Sequence, residues 1–220
     1  MIAIDLISDE IPPIKTSDTA GLALQYMEDF KLNELPIVNN RIFLGLITEN
    51  DIYDLNDPEV PIGNHSLSLE KGFVYGHEHV FEIIGKMAAK KLSVLPVLDD
   101  ENNYLGVISR EILIDRISKL GAMKDPGGIL QFEVNVNDYS LSEIARIVES
   151  NDSRILSSYL YVHEDSTKMD VTIKINDTNL GAIIQTFERY NYNIVGTFHK
   201  GESDDDMKRR YDAFLHYLNM

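Results

Sequence analysis

The first half of the chain repeats its own hydrophobic pattern at an interval of 60 residues. This shift places residues 35–38, Leu-Pro-Ile-Val, on residues 95–98, Leu-Pro-Val-Leu. The second copy then carries one extra residue, so that 44–48 falls on 105–109, and both read Leu-Gly, two aliphatic residues and a hydroxyl residue. A repeat of this kind indicates two supersecondary units that bury their hydrophobic faces against each other.

Each copy predicts the element order β-α-β-β-α. An extended segment, 13–16 or 73–76, precedes a helix with apolar residues at i, i+3, i+4 and i+7. Two strands joined by a tight turn follow, and the first is entered through proline, which is tolerated at a strand start. A closing helix is expected at about 49–55 and at 110–120. Residues 57–72, with two prolines and two glycines, are typical of a linker.

The pattern beyond residue 126 predicts a further unit with the order βαββαβ. Residues 129–136 alternate as a strand, and a capping box at Ser140 opens an amphipathic helix. The remaining predicted elements are strands at 155–162, 169–175 and 192–198 and a helix at 179–191. This order is the split unit of ferredoxin-like folds, and the predicted fold class of the whole chain is α/β (α+β).

The last predicted element is an amphipathic helix at 203–220. Three aspartates stand at its start, which suits the helix dipole, and apolar residues follow at helical spacing. We therefore expect four parts, which are the repeats at 1–60 and 61–122, the α/β unit at 126–200 and this helix.

Charge and composition exclude several classes of partner. Twenty Lys and Arg stand against 36 Asp and Glu, which gives a net charge of −16. Such a chain repels phosphate backbones and anionic lipid surfaces. Cysteine is absent, the N-terminus lacks a basic signal region, and no stretch approaches the ~20 apolar residues of a membrane span. The expected location is the cytoplasm, with no nucleic acid or membrane as partner.

The turn at 45–51, Gly-Leu-Ile-Thr-Glu-Asn-Asp, supports two interpretations. Thr48 followed by an acid three residues later is a capping-box pattern, which needs no ligand. A helix N-terminus also offers unpaired N–H groups, and a carboxylate held there can accept hydrogen bonds from both hydroxyls of a ribose. The two roles of Asp51 are compatible, and the residues alone leave both open.

The repeat and this turn together resemble the CBS (cystathionine-β-synthase-type) family, whose tandem domains form a Bateman module. The resemblance covers about residues 1–122, and its most specific motif, Gly-h-h-Thr-x-x-Asp, stands at 45–51. It implies that an adenosyl ligand lies in the cleft between the copies, with Asp51 on the ribose hydroxyls and Thr48 near the ribose and phosphate. The nucleotide-binding residues that it implies are Ile14, Thr16, Pro36, Gly45, Thr48 and Asp51.

The second copy departs from this motif. Ile112 stands where the acid belongs, and Gly76 replaces Thr16. A ribose facing Ile112 would lose a charge-assisted hydrogen bond worth ~1.5–3 kcal/mol. We therefore expect at most one good nucleotide site per chain.

Cations for a phosphate group are scarce in so acidic a chain. The candidate contacts are Lys15, Lys90, Lys91, Ser109 and Arg110. For each of the four charged side chains among them, a solvated surface position is the favoured interpretation. The metal interpretation of His77 and His79 is weak because both align with positions at a helix start, and the other four histidines form no spaced set. We predict no metal site, and no catalytic motif is found.

Residues 126–200 resemble an ACT-type ligand-sensing domain. ACT domains usually carry Asp-x-x-Gly-h-Leu at the first strand–helix turn, but residues 137–141 read Asn-Asp-Tyr-Ser-Leu and contain no glycine. The resemblance therefore implies dimerisation rather than amino-acid binding. The order CBS–CBS–ACT resembles the acetoin-utilisation regulator type of protein.

These features predict a non-catalytic cytoplasmic regulator that senses an adenosine-containing ligand. AMP, ADP, ATP or S-adenosylmethionine is the expected ligand, and no cofactor is obligatory. The expected partners are a second copy, bound through CBS and ACT-like surfaces, and an unidentified effector protein. The alternative is a ligand-independent dimerisation scaffold in which Thr48 and Asp51 only cap a helix.

Overall fold

The computed structural model describes residues 1–55, 57, 59–65, 69, 71–164 and 166–198. The chain divides into two compact units, Met1–Ile117 and Ser118–Met220. The helix predicted at 203–220 lies outside the described residues.

The first unit contains both sequence repeats. Its elements are α1 (Ala20–Phe30), β1 (Glu34–Asn39), β2 (Ile42–Thr48), α2 (Glu49–Tyr53), β3 (Val74–Tyr75), α3 (Val80–Lys90), β4 (Val94–Leu98), β5 (Tyr104–Ser109) and α4 (Arg110–Ile117). β3 runs parallel to β4, and β4 pairs with β5 in antiparallel fashion. In the first copy β1 and β2 are antiparallel, and the leading extended segment forms one parallel bridge between Ile14 and Ile37.

Matching cap residues fix both ends of the two long helices. The side chains of Thr19 and His79 accept a hydrogen bond from the first turn of α1 and α3, respectively. Lys31 and Lys91 adopt left-handed backbone with φ of 54° at the other ends, where their N–H groups bond to carbonyls of the last turn. His79 therefore lies at the start of a helix, as the alignment of the two copies predicts.

The leading segment of each copy crosses to the other copy. Ile2 bridges to His79, and a single turn of 3-10 helix at Ala3–Leu6 follows. Pro61 in turn bridges to Thr19, and a 3-10 turn at Ile62–Asn64 follows there. The predicted linker thus contains the counterpart of the chain's own N-terminal segment.

One hydrophobic core joins both copies of the first unit. The strands supply its centre, where Leu35, Ile47, Leu95 and Ile108 have no exposed surface. The helices contribute one face each, since the buried residues of α1 and α3 recur at helical spacing. Neither copy encloses this core alone.

The second unit has the ferredoxin-like order that the sequence predicts. Its elements are β6 (Gly128–Asn135), α5 (Leu141–Glu149), β7 (Ile155–Val162), β8 (Lys168–Ile175), α6 (Gly181–Arg189) and β9 (Asn193–Phe198). All pairs in the sheet are antiparallel, in the order β7-β8-β6-β9. Alternate residues of β6 and β8 pack with α5 and α6 in a separate core around Phe132 and Phe187. The predicted α/β (α+β) class is confirmed for both units.

Among the residues that the structure describes, no helix is long and apolar enough to cross a lipid bilayer.

Candidate functional site

Thr48 and Asp51 form a reciprocal cap at the junction of β2 and α2. The Thr48 hydroxyl accepts a hydrogen bond from the Asp51 N–H at 3.2 Å. Asp51 Oδ2 accepts from the Thr48 N–H at 2.8 Å and from the Thr48 hydroxyl at 2.7 Å. Both side chains are half-buried, and Asp51 Oδ1 bonds to none of the described residues. One carboxylate oxygen therefore holds the turn, and the other is open.

Three of the implied contacts, Ile14, Pro36 and Gly45, lie on neighbouring strands behind this turn. Ile14 stands opposite Ile37, which in turn stands opposite Gly45. The Ile14 N–H donates to the Pro36 carbonyl at 2.9 Å, and the Ile14 side chain has no exposed surface. Pro36 and Gly45 are buried as well. These residues build the sheet that presents the turn.

Thr16 and Lys15 lie at the other end of β1. The Asn39 side-chain amide donates to the Thr16 hydroxyl at 2.7 Å, whereas Thr48 pairs with Glu34. Asn39 and Glu34 are five residues apart along β1, which corresponds to about 16 Å. The structure therefore does not bring Thr16 to the Thr48–Asp51 turn.

The second copy has the same turn without the acid. The Ser109 hydroxyl accepts from the Ile112 N–H at 3.2 Å, which caps α4 as Thr48 caps α2. The Arg110 guanidinium donates to the Leu92 carbonyl at 3.1 Å and to the Lys91 carbonyl at 3.5 Å. Arg110 thus stabilises the end of α3, although its side chain stays largely exposed.

A cavity of about 380 Å³ adjoins this second turn. Ser109 and Ile112 line one side of it, and Phe30 and Lys31, from the end of α1, line another. A second, smaller cavity of about 220 Å³ is also lined by Phe30 and Lys31 and extends to Ser93. The wall of each cavity therefore combines the turn of one copy with the helix end of the other.

A buried carboxylate joins the two copies, and sequence comparison did not find it. Glu34 Oε1 accepts hydrogen bonds from the Ser93 N–H, from the Ser93 hydroxyl at 2.9 Å and from the Val94 N–H at 3.0 Å. Glu34 is 4% exposed. The signal in the sequence was a charged residue at the start of an otherwise apolar strand, where the second copy has Val94.

His77 and His79 point to different partners. His77 Nδ1 lies 3.2 Å from Asp100, and its ring stacks on Tyr75 at 5.9 Å between centroids. His79 Nδ1 caps α3 by accepting from the Phe81 N–H at 3.3 Å. The two imidazoles therefore do not converge on one point.

The second unit has a polar cavity of about 360 Å³ near the first strand–helix turn. Tyr192 and Glu143 line it, and the Tyr192 hydroxyl donates to Glu143 Oε2 at 3.0 Å. Burial, with this hydrogen bond, raises the pKa of Tyr192 to about 12. The sequence located the turn, but the space beside it depends on residues 190–193, which are distant in the chain.

The family model for the CBS domain matches residues 3–56 and 72–119. Its two matches coincide with the two structural copies of the first unit. These segments are tandem CBS domains. The CBS pair extends over the repeat that the sequence analysis detected, and the resemblance stated there is confirmed to this extent.

Two curated relatives of this chain are inosine-5'-monophosphate dehydrogenases. The protein from Methanocaldococcus jannaschii is 24% identical over 162 residues, which are 72% of this chain and 32% of the relative. The protein from Bacillus subtilis is 25% identical over 157 residues, or 69% of this chain and 32% of the relative. The chain spans about a third of the length of these relatives.

Solved structures also resemble part of this chain. A CBS domain pair/ACT domain protein from Thermotoga maritima is 22% identical, with a TM-score of 0.48 over 53% of this chain and 96% of that chain. CBSX2 in complex with AMP is 16% identical, with a TM-score of 0.46 over 54% of this chain and 97% of that chain. The ACT-type assignment of the second unit stays a prediction.

Proposed function

We propose that this protein is a non-catalytic regulator whose CBS pair binds an adenosine-containing ligand at the Thr48–Asp51 turn. The observation that carries the proposal is the open oxygen Oδ1 of Asp51, on a carboxylate whose other oxygen is fixed by the cap. A carboxylate held in this way is oriented before the ligand arrives, so little side-chain freedom is lost on binding. Asp51 Oδ1 would accept hydrogen bonds from the ribose hydroxyls.

The repeat supports a ligand space beside this turn. The cavity at the second turn is bounded by Phe30, Lys31, Ser109 and Ile112. The positions that correspond to them, after the 60-residue shift and the one extra residue, are Lys90, Lys91, Thr48 and Asp51. The first turn would thus have an acid for the ribose and two lysines for a phosphate, where the second turn has Ile112 and one lysine.

Thr16 and Lys15 are not part of this proposed contact set, because they lie at the opposite end of β1. Ile14, Pro36 and Gly45 act through the sheet that positions the turn. Arg110 and Ser109 stand at the second turn, where Arg110 already bonds to two backbone carbonyls. We propose one adenosyl ligand per chain, AMP, ADP, ATP or S-adenosylmethionine, and none at Ile112.

We further propose that the protein is a cytoplasmic homodimer that transmits ligand binding to an effector protein. An apolar groove of about 400 Å³ between α3 and α4 supports a partner surface on the CBS pair. Ile114 lines this groove and is 64% exposed. Binding would favour the dimer conformation in which the cleft is complementary to the ligand.

The second candidate is a scaffold that binds no ligand. The reciprocal hydrogen bonds of the Thr48–Asp51 cap favour it, because the acid already has a structural role. Calorimetric titration of AMP, ADP, ATP, NAD and S-adenosylmethionine against wild type and Asp51→Ala separates the two candidates. We expect one of these ligands to bind the wild type and to lose measurable affinity for Asp51→Ala.

A matched control separates loss of the ligand contact from loss of a cap. Thr19 caps α1 in the same copy, since its hydroxyl accepts from the Leu22 N–H at 3.3 Å. Thr19→Ala should therefore lower stability by about 1 kcal/mol and leave the ligand affinity unchanged. The absence of ligand binding to the wild type would favour the scaffold. Equal affinity of wild type and Asp51→Ala would instead show that the ligand does not bind at the Thr48–Asp51 turn.

A further inference from the structure

At one end of the sheet in the second unit, two carboxylates and a histidine, which are residue types that can ligate a metal ion, lie close together. Glu133 on β6 stands directly opposite Asp170 on β8 in the antiparallel register. Both point away from the helices, because their neighbours Phe132, Met169 and Val171 are buried in the core. His163 follows β7 immediately and lies beside Asp170.

The donor atoms of this group lie close enough to share one ion. His163 Nε2 is 3.1 Å from Asp170 Oδ1, and one ligand atom from each of the three side chains lies within 4.8 Å of the others. The three residues are half-buried. Two carboxylates directly opposite each other on one sheet face repel unless a cation lies between them.

Further contacts orient the donors. The Gln131 side-chain amide donates to Asp170 Oδ2 at 3.0 Å, which leaves Oδ1 directed at His163. The Tyr161 ring packs edge-on against the imidazole, with 5.2 Å between centroids. Such outer contacts are the usual means by which proteins fix ligating carboxylates and imidazoles. Lys168 Nζ lies 2.5 Å from Glu133 Oε1 and is the cation that neutralises Glu133 without a metal.

We propose that Glu133, His163 and Asp170 bind one divalent transition-metal ion. One imidazole nitrogen and two carboxylate oxygens suit Zn²⁺, at about 2.0–2.2 Å from each ligand atom. Mg²⁺ fits less well, because it prefers six oxygen ligands in octahedral geometry. With three protein ligands, a water molecule would complete the four-coordinate geometry that Zn²⁺ prefers.

The chain contains a natural control for this proposal. His77 and Asp100 form a similar pair at 3.2 Å, but their side chains are 69% and 85% exposed. No third His, Asp or Glu joins them among the residues that the structure describes. A simple histidine–carboxylate pair should not retain Zn²⁺, whereas the three-residue site should.

The test is titration of the full chain, without a purification tag, with Zn²⁺ by calorimetry and by competition with a chromophoric chelator. We expect one Zn²⁺ per chain, which 1 mM Mg²⁺ does not displace. Asp170→Asn and Glu133→Gln preserve side-chain shape, and each should weaken Zn²⁺ binding by at least about 10-fold. Asp100→Asn should leave it unchanged.

Thermal unfolding of metal-free protein checks that the two variants fold, and Zn²⁺ should raise the unfolding temperature of wild type but not of Asp170→Asn. Binding of Zn²⁺ that neither Asp170→Asn nor Glu133→Gln weakens would place the metal elsewhere and overturn the proposal. The absence of Zn²⁺ binding to the wild type would overturn it as well. Neither result depends on whether the CBS pair binds a nucleotide.

Discussion

Asp51 and Ile112 occupy the same position in the two copies, and they show what single residues contribute to this fold. Both turns are capped through a hydroxyl, at 3.2 Å in each case, so the cap itself does not require the acid. The acid adds a charged group whose second oxygen is open. The sequence alone could predict the cap and the asymmetry, but it could not reveal which oxygen the cap uses.

Glu34 carries the first prediction at the residue scale. Glu34→Ala would leave the N–H groups of Ser93 and Val94 buried without an acceptor, at about 1–3 kcal/mol each. We expect the free energy of unfolding to fall by about 2–4 kcal/mol, as measured by urea denaturation.

Two variants control this measurement. Glu34→Gln keeps an acceptor oxygen and should cost less than Glu34→Ala. Glu28→Ala removes an exposed acid from α1 and should change stability by no more than about 0.5 kcal/mol. A Glu34→Ala variant as stable as Glu28→Ala would show that the carboxylate does not lock the two copies together.

At the scale of the element, the two motif glycines mark β-bulges. Gly45 and Gly106 have φ of 153° and 157°, and each pairs with the residue just before the bulge on its partner strand. A Cβ on Gly106 would overlap the Ile7 side chain. The motif glycine therefore has a backbone role that is independent of any ligand.

The second prediction compares two glycines of the same copy. Gly106→Ala should lower the free energy of unfolding by about 1–3 kcal/mol, because of strain and the contact with Ile7. Gly85→Ala should raise it by about 0.5–1 kcal/mol, since Gly85 lies inside α3 with nothing within 4 Å. Chemical denaturation measures both free energies of unfolding. If both variants shift the free energy of unfolding in the same direction, this account of the bulge is wrong.

Most elements could be predicted because each has a local signal. The amphipathic spacing of α1 and α3 and the apolar runs of β1 and β4 define the repeat without any tertiary knowledge. The exchange of leading segments between the copies could not be predicted, because Ile2 and Pro61 bond to helix starts of the other copy. The grouping of His163 with Glu133 and Asp170 could not be predicted either, because these two residues lie 30 and 7 positions from His163 in the sequence.

For the molecule as a whole, the net charge of −16 makes the placement of cations decisive. A bound phosphate would have to overcome a surrounding negative potential, and it can do so only where basic side chains lie close by. The repeat relates Lys90 and Lys91 to the cavity residues Phe30 and Lys31. Lys15, in contrast, is exposed at the far end of β1.

The third prediction follows from this placement. We expect AMP to bind more tightly than adenosine, and the double variant Lys90→Gln/Lys91→Gln to weaken AMP binding by about 10-fold while adenosine binding is unchanged. Lys15→Gln is the matched control and should bind both ligands as wild type does. If calorimetry shows the same AMP affinity for the double variant and for Lys15→Gln, Lys90 and Lys91 do not contact the phosphate.

The most direct test of the central claim is the stoichiometry and affinity of the adenosyl ligand with wild type and Asp51→Asn. The asparagine oxygen can still accept from the Thr48 N–H, so the cap persists while the charge is lost. The account predicts one ligand per chain for the wild type and an affinity about 10- to 150-fold lower for Asp51→Asn. Two ligands per chain, or equal affinity in both proteins, would contradict it.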